Sequence, residues 1–109
     1  MGCNKEDCSS QLLYYEELAA AHPREASHHR DLGLAYLAVD ALKRAEAAFS
    51  RAVELDGEDH AAGFWVGRTR YLRGQYESAA RMFERLTGLV PGRYETHADL
   101  GLTYLFIAH

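Results

Sequence analysis

Hydrophobic residues along the chain recur at three- and four-residue steps, the spacing of one face of an α-helix, and Pro, Gly and Asp cut the runs at short intervals. Leu12, Tyr15 and Leu18 form the first stripe, in a helix predicted from Ser9 or Ser10 to Ala21, capped by one of those serines and stopped by Pro23. A second helix, from Arg24 or Ala26 to Val39, is expected to bury Leu32, Ala35 and Tyr36. The third, Leu42 to Leu55, turns Ala45, Phe49, Ala52 and Leu55 inward and ends at Asp56-Gly57, read as a left-handed stop. A fourth, Asp59 to Arg73, buries Val66 and Gly67 and breaks at Gly74; a fifth, Tyr76 to Leu89, buries Ala79, Phe83 and Leu86 ahead of Pro91-Gly92. The sixth starts near Arg93 and runs to the C-terminus. Helices this short persist through tertiary packing rather than propensity.

The stripes repeat. A step of about 34 residues carries Gly33 to Gly67, Ala45 to Ala79, Phe49 to Phe83 and Leu55 to Leu89. A second step takes Leu32, Gly33 and Tyr36 to Leu100, Gly101 and Tyr104, and a backward step takes Phe49 to Tyr15 and Ala52 to Leu18. These residues resemble the tetratricopeptide repeat, whose pattern is a Leu-Gly pair, then Tyr, then Ala-x-x-x-Phe and a closing Pro. Leu32-Gly33, Tyr36, Ala45 and Phe49 fit, with Gly57 in place of the proline. The second repeat offers Val66-Gly67, Ala79, Phe83 and Pro91, with Arg70 in the tyrosine position. His29, Gly63 and His97 stand in turn where the family has tryptophan. The resemblance spans residues 8 to 109. It implies an all-α, right-handed superhelix of about six antiparallel helices: half a repeat, two full repeats and another half. The domain would occupy residues 9–109, after a flexible segment over 1–8.

It also implies that the first helix of each pair lines a concave groove. The matching rows there are Arg30, Phe64 and Ala98; Leu34, Arg68 and Leu102; and Leu37, Tyr71 and Leu105. Arg30, Leu34, Leu37, Phe64, Arg68, Tyr71, Leu102 and Leu105 are therefore the candidate partner-binding residues. Family members that clamp a C-terminal carboxylate carry Lys and Asn in the first two rows, whereas Leu34, Phe64 and Leu102 cannot hydrogen-bond a carboxylate. An apolar groove with one or two arginines suits an amphipathic helix or an extended apolar peptide of a partner protein, and aromatic residues beside arginine are typical anchors. For Phe64, with Arg68 and Tyr71, groove and core are both open.

The repeat frame opens on a second helix and closes on a first, ending in the apolar run Tyr104-Leu105-Phe106-Ile107. Three arrangements would cover such ends: a longer repeat protein of which this is a fragment, packing of helix six of one copy on helix one of another, or exchange of helix six between copies. Tyr15, Tyr104, Phe106 and Ile107 are the candidate self-association residues.

Charge and composition narrow the functions. A net charge of −4 and pI near 5.8 argue against nucleic acid, which asks for a basic face. No apolar run approaches the roughly 20 residues of a membrane span, so a soluble chain is expected. Cys3 and Cys8 are too few for a disulfide framework or a zinc site. Met1-Gly2-Cys3 is read first as an ordinary start with free thiols; the alternative is the remnant of a bacterial lipoprotein cleavage site, with Cys3 as candidate lipidation site, while myristoylation of Gly2 is opposed by Glu6, where that motif wants Ser or Thr. Cytoplasmic placement is favoured, with a lipid-anchored periplasmic one as the alternative. The six histidines show no HExxH spacing and are read as surface residues. No nucleophile elbow, phosphate loop or dinucleotide fingerprint occurs. The expected function is protein interaction rather than catalysis, without cofactor or metal.

Overall fold

The computed structural model of the chain describes residues 5–89, in which five helices follow one another: α1 (Lys5–Ala21), α2 (Ala26–Ala38), α3 (Leu42–Leu55), α4 (His60–Leu72) and α5 (Tyr76–Leu89). Each packs on the next, and the short connections make neighbours antiparallel. The helix expected from Arg93 onward, with Leu102, Tyr104, Leu105, Phe106 and Ile107, lies outside the described residues, as does Cys3.

Helices α3 and α5 fall at the boundaries their stripes predict. Ala45, Ala48, Phe49 and Ala52 are buried on α3, while Lys43, Arg44, Arg51 and Glu54 face solvent. On α5, Ala79, Ala80, Phe83 and Leu86 are buried. Helix α4 has little polar face because it is held between α3 and α5. Ala62, Gly63, Phe64, Val66, Gly67 and Thr69 are all buried on its 13 residues. By contrast α2 buries only Gly33, and Leu32, Ala35 and Tyr36, expected inside, are half-buried. Two core clusters result, Ala45–Phe49–Val66 and Phe64–Ala79–Phe83–Leu86, and both Trp65 and Met82 pack against each of them.

The two glycines shared by the repeats mark its closest approaches. A Cβ on Gly33 would stand 2.5 Å from Cε1 of Phe49, and one on Gly67 would stand 2.6 Å from Cε1 of Phe83. Any side chain there would enter the ring that follows it, so the helices close only over glycine. The ends of α2 and α4 also match. The N–H of Ala41 bonds the Tyr36 carbonyl and that of Asp40 the Leu37 carbonyl; Gln75 bonds Arg70 and Gly74 bonds Tyr71 in the same way. This is the paired closure that ends many helices at a left-handed residue.

Three local expectations are corrected. Helix α1 begins at Lys5, so residues 5–8 are helical rather than part of a loose segment, and Ser9 and Ser10 lie inside the helix rather than capping it. No Pro or Gly interrupts residues 5–21, and an interior Ser costs a helix only a fraction of a kcal/mol, below about 0.7. The end of α3 is not a left-handed glycine stop either, since Gly74 is the one glycine with positive φ among the described residues. Asp56 is extended there, and its Oδ1 accepts the Glu58 N–H at 3.0 Å, which turns the chain without help from Gly57.

Candidate interaction groove

Helices α2 and α4 hold equivalent places in successive repeats, and their outward rows carry the candidate groove residues. Leu34 and Ala38 lie one turn apart on α2; Arg68 and Leu72 hold the same places on α4, 34 residues on. All four are exposed, Leu34 by 37% and Leu72 by 54%. Leu13, Tyr14 and Val39 are the other large apolar side chains exposed among the described residues. The sequence reading missed Leu72; its signal was an apolar residue beside Tyr71 on the last turn of α4, before Gly74.

The remaining groove candidates have other partners. Arg30 Nη1 donates to Asp59 Oδ2 at 3.0 Å, and Asp59 Oδ1 accepts the Ala62 N–H at 3.1 Å, so one carboxylate caps α4 and holds α2 beside it. The Asp59 side chain is 8% exposed. Arg30 is thus a joint between repeats rather than an open cation. Phe64 belongs to the core, where it meets Phe83 at a ring separation of 6.2 Å. The Arg68 guanidinium lies 5.7 Å from the Phe64 ring centre, within the range of a cation–π contact, so the buried Phe64 ring lies against the exposed Arg68. Tyr71 is half-buried against that core and packs edge-on to Tyr76 at 5.4 Å. Leu37 is half-buried against the Ala45–Phe49–Val66 cluster.

Arg70, which breaks the family pattern, has a role in the packing. Its Nε reaches Glu46 Oε2 at 3.4 Å while Arg73 Nη1 reaches Glu46 Oε1 at 2.6 Å, tying α4 to α3. One repeat earlier the tyrosine at that position, Tyr36, donates to Glu16 of α1 at 3.2 Å. Burial, together with the nearby Glu16 carboxylate, raises the Tyr36 hydroxyl pKa above its ordinary value.

No protein-family model and no curated protein matches the sequence. Solved structures do. The second TPR domain of human RPAP3, in complex with an HSP70 peptide, is 26% identical with a TM-score of 0.80, over 85% of this chain and 78% of that one. The first TPR of Spaghetti (RPAP3), bound to an HSP90 peptide, has a TM-score of 0.89 at 21% identity, over 96% of this chain and 83% of that one. The Arabidopsis OM64 TPR domain has a TM-score of 0.83 at 18% identity, over 91% and 82%. The chain has the tetratricopeptide-repeat fold.

Three histidines meet at the α1–α2 turn of this domain. His22 and His28 stack at 5.3 Å across the α1–α2 connection, and His29 Nε2 donates to the Pro23 carbonyl at 2.8 Å. His28, His29 and His60 are half-buried, which corrects their reading as plain surface residues. Among the described residues, no three His, Cys, Asp or Glu side chains are placed to hold a metal ion, and no helix is long and apolar enough to cross a membrane.

Proposed function

We propose that this domain is a protein-interaction module that holds a helix or an extended apolar segment of a partner along α2 and α4. The observation that carries the reading is the exposed strip of Leu34 on α2 and, on α4, Arg68 at the matching place with Leu72 one turn beyond it. An apolar strip with one arginine suits a segment that offers leucine-like side chains and an acid. The RPAP3 domains bound to chaperone peptides support the general role of peptide binding. A carboxylate terminus is a poor match for this groove, because Arg30 is already paired with Asp59 and neither Leu34 nor Phe64 donates a hydrogen bond.

Capture from a lysate of the native host on the immobilised 109-residue chain, with mass spectrometry of what is retained, tests this. Arg68→Glu and Leu72→Asp should each release the captured partner while leaving the helical circular-dichroism signal intact. Retention of the same partner by both variants would refute the groove.

A further inference from the structure

The groove admits a helical or an extended partner, and hydrogen bonding separates the two. An extended segment brings a backbone N–H and C=O at nearly every residue, and each one covered without a partner costs roughly tenfold or more in affinity. It would find few partners here. Leu34, Ala38 and Leu72 offer none, and the backbone groups of α2 and α4 are taken up within their own helices. The described residues hold no strand whose edge a segment could extend, and Arg30 is held by Asp59. Gln11, Tyr15 and Asp31 share a shallow cleft with Leu34 and Ala38, and so serve one end of such a segment rather than its length. A helix arrives with its backbone already bonded and asks the strip only for side-chain contact.

The exposed positions also carry helical spacing. Leu34 and Ala38 on α2, and Arg68 and Leu72 on α4, form two rows of step four, the kind of row that interlocks with those of a second helix. The two rows differ in a way that fixes what must face them. Ala38 leaves a recess where its counterpart Leu72 raises a side chain, and Leu34 is apolar where its counterpart Arg68 carries charge. We infer that the partner is an amphipathic helix that sets a large apolar residue in the recess at Ala38 and small residues against Leu72, with a carboxylate toward Arg68. This rests on the groove reading above and decides between the two kinds of partner that reading admits.

Two displayed peptide libraries of about 16 residues, a length at which an isolated helix begins to hold, test this against the immobilised 109-residue chain. One is an amphipathic helix varied on its apolar face and flanking charges. The other is varied at the same positions but carries a central proline, which breaks the helix. Binders should come from the helical library and be released by Arg68→Glu and by Leu72→Asp, each variant first shown to keep its helical circular-dichroism signal. Ala38→Leu fills the recess and should weaken them roughly tenfold or more. Changing their acid to lysine should abolish binding to the unchanged chain and restore it on Arg68→Glu. Binders from the proline library that both groove substitutions release overturn the helix and leave the groove standing. Helical binders indifferent to Ala38→Leu, or whose acid the charge exchange does not rescue, overturn the seating. No binder from either library, or binders that survive both groove substitutions, removes the groove itself and this inference with it.

Discussion

Asp40 and Gly74 occupy the same turn in successive hairpins, both with positive φ, 60° for Asp40 and 81° for Gly74. Glycine adopts that conformation without steric cost, whereas a residue with a Cβ meets its own carbonyl, at roughly 1–2 kcal/mol, eased somewhat for Asp. Asp40→Gly should therefore stabilise the domain by about 0.5–1 kcal/mol, and Gly74→Ala should destabilise it by about 1 kcal/mol. Thermal midpoints read both, at roughly 4–8 °C per kcal/mol for a domain near this size.

Three glycine-to-alanine substitutions should fall in a fixed order. Gly33→Ala drives a methyl into the fully buried Phe49 ring at 2.5 Å and should cost about 1–3 kcal/mol. Gly63→Ala meets only a terminal methyl of Leu86, at 3.1 Å, and should cost less. Gly57 has nothing within 4 Å and an ordinary φ, so Gly57→Ala should be neutral or stabilising by up to about 1 kcal/mol. Urea midpoints would establish the order; a Gly33→Ala protein as stable as Gly57→Ala would contradict the close approach.

Asp59 does two jobs and Arg30 one. Arg30→Ala leaves the α4 cap in place and should cost about 0.2–1 kcal/mol, as expected for a partly exposed ion pair. Asp59→Ala loses the cap as well, which adds about 0.5–2 kcal/mol. In a double-mutant cycle Arg30→Ala should cost nothing further once Asp59 is gone.

Phe64 and Arg68 should separate fold from binding. Phe64→Ala empties a buried ring site and should cost about 3–5 kcal/mol, whereas Arg68→Glu at the exposed rim should stay near ±0.5 kcal/mol. Unfolding curves distinguish them before any partner is added.

Tyr36 sets an alkaline limit. Its hydroxyl pKa is raised in the folded state by burial first and Glu16 second, so the folded chain keeps the proton where the unfolded chain has lost it. That contribution is whole below the unfolded tyrosine value of about 10 and is lost as pH rises from there through the raised folded value. Stability of the unchanged protein should fall across that window more steeply than that of Tyr36→Phe, as measured by denaturant titrations at a series of pH values.

Much of this was legible in the sequence, and the reasons differ by element. Helices α3 and α5 have a true second side, with charges opposite Ala45, Phe49 and Ala52 or opposite Ala79, Phe83 and Leu86, so spacing alone placed them. Gly33 and Gly67 declared the register because each must sit against an aromatic ring. Phe64 was ambiguous because α4 is enclosed by two neighbours, and an apolar residue on such a helix carries no mark of which side it faces. Arg30 misled because its partner lies 29 residues away on a helix cap, a distance at which periodicity is silent. The Asp56 turn was hidden by Gly57, whose presence suggested a backbone solution where a side chain supplies one.

Trp65 is the chain's one tryptophan, stacked on Phe49 at 5.9 Å and edge-on to Phe64 at 5.6 Å. Because those rings belong to different core clusters, the chain's single indole, which can be excited apart from the tyrosines, straddles the seam between adjacent hairpins. Its emission would record whether the array melts in one event or peels apart hairpin by hairpin, with no label introduced.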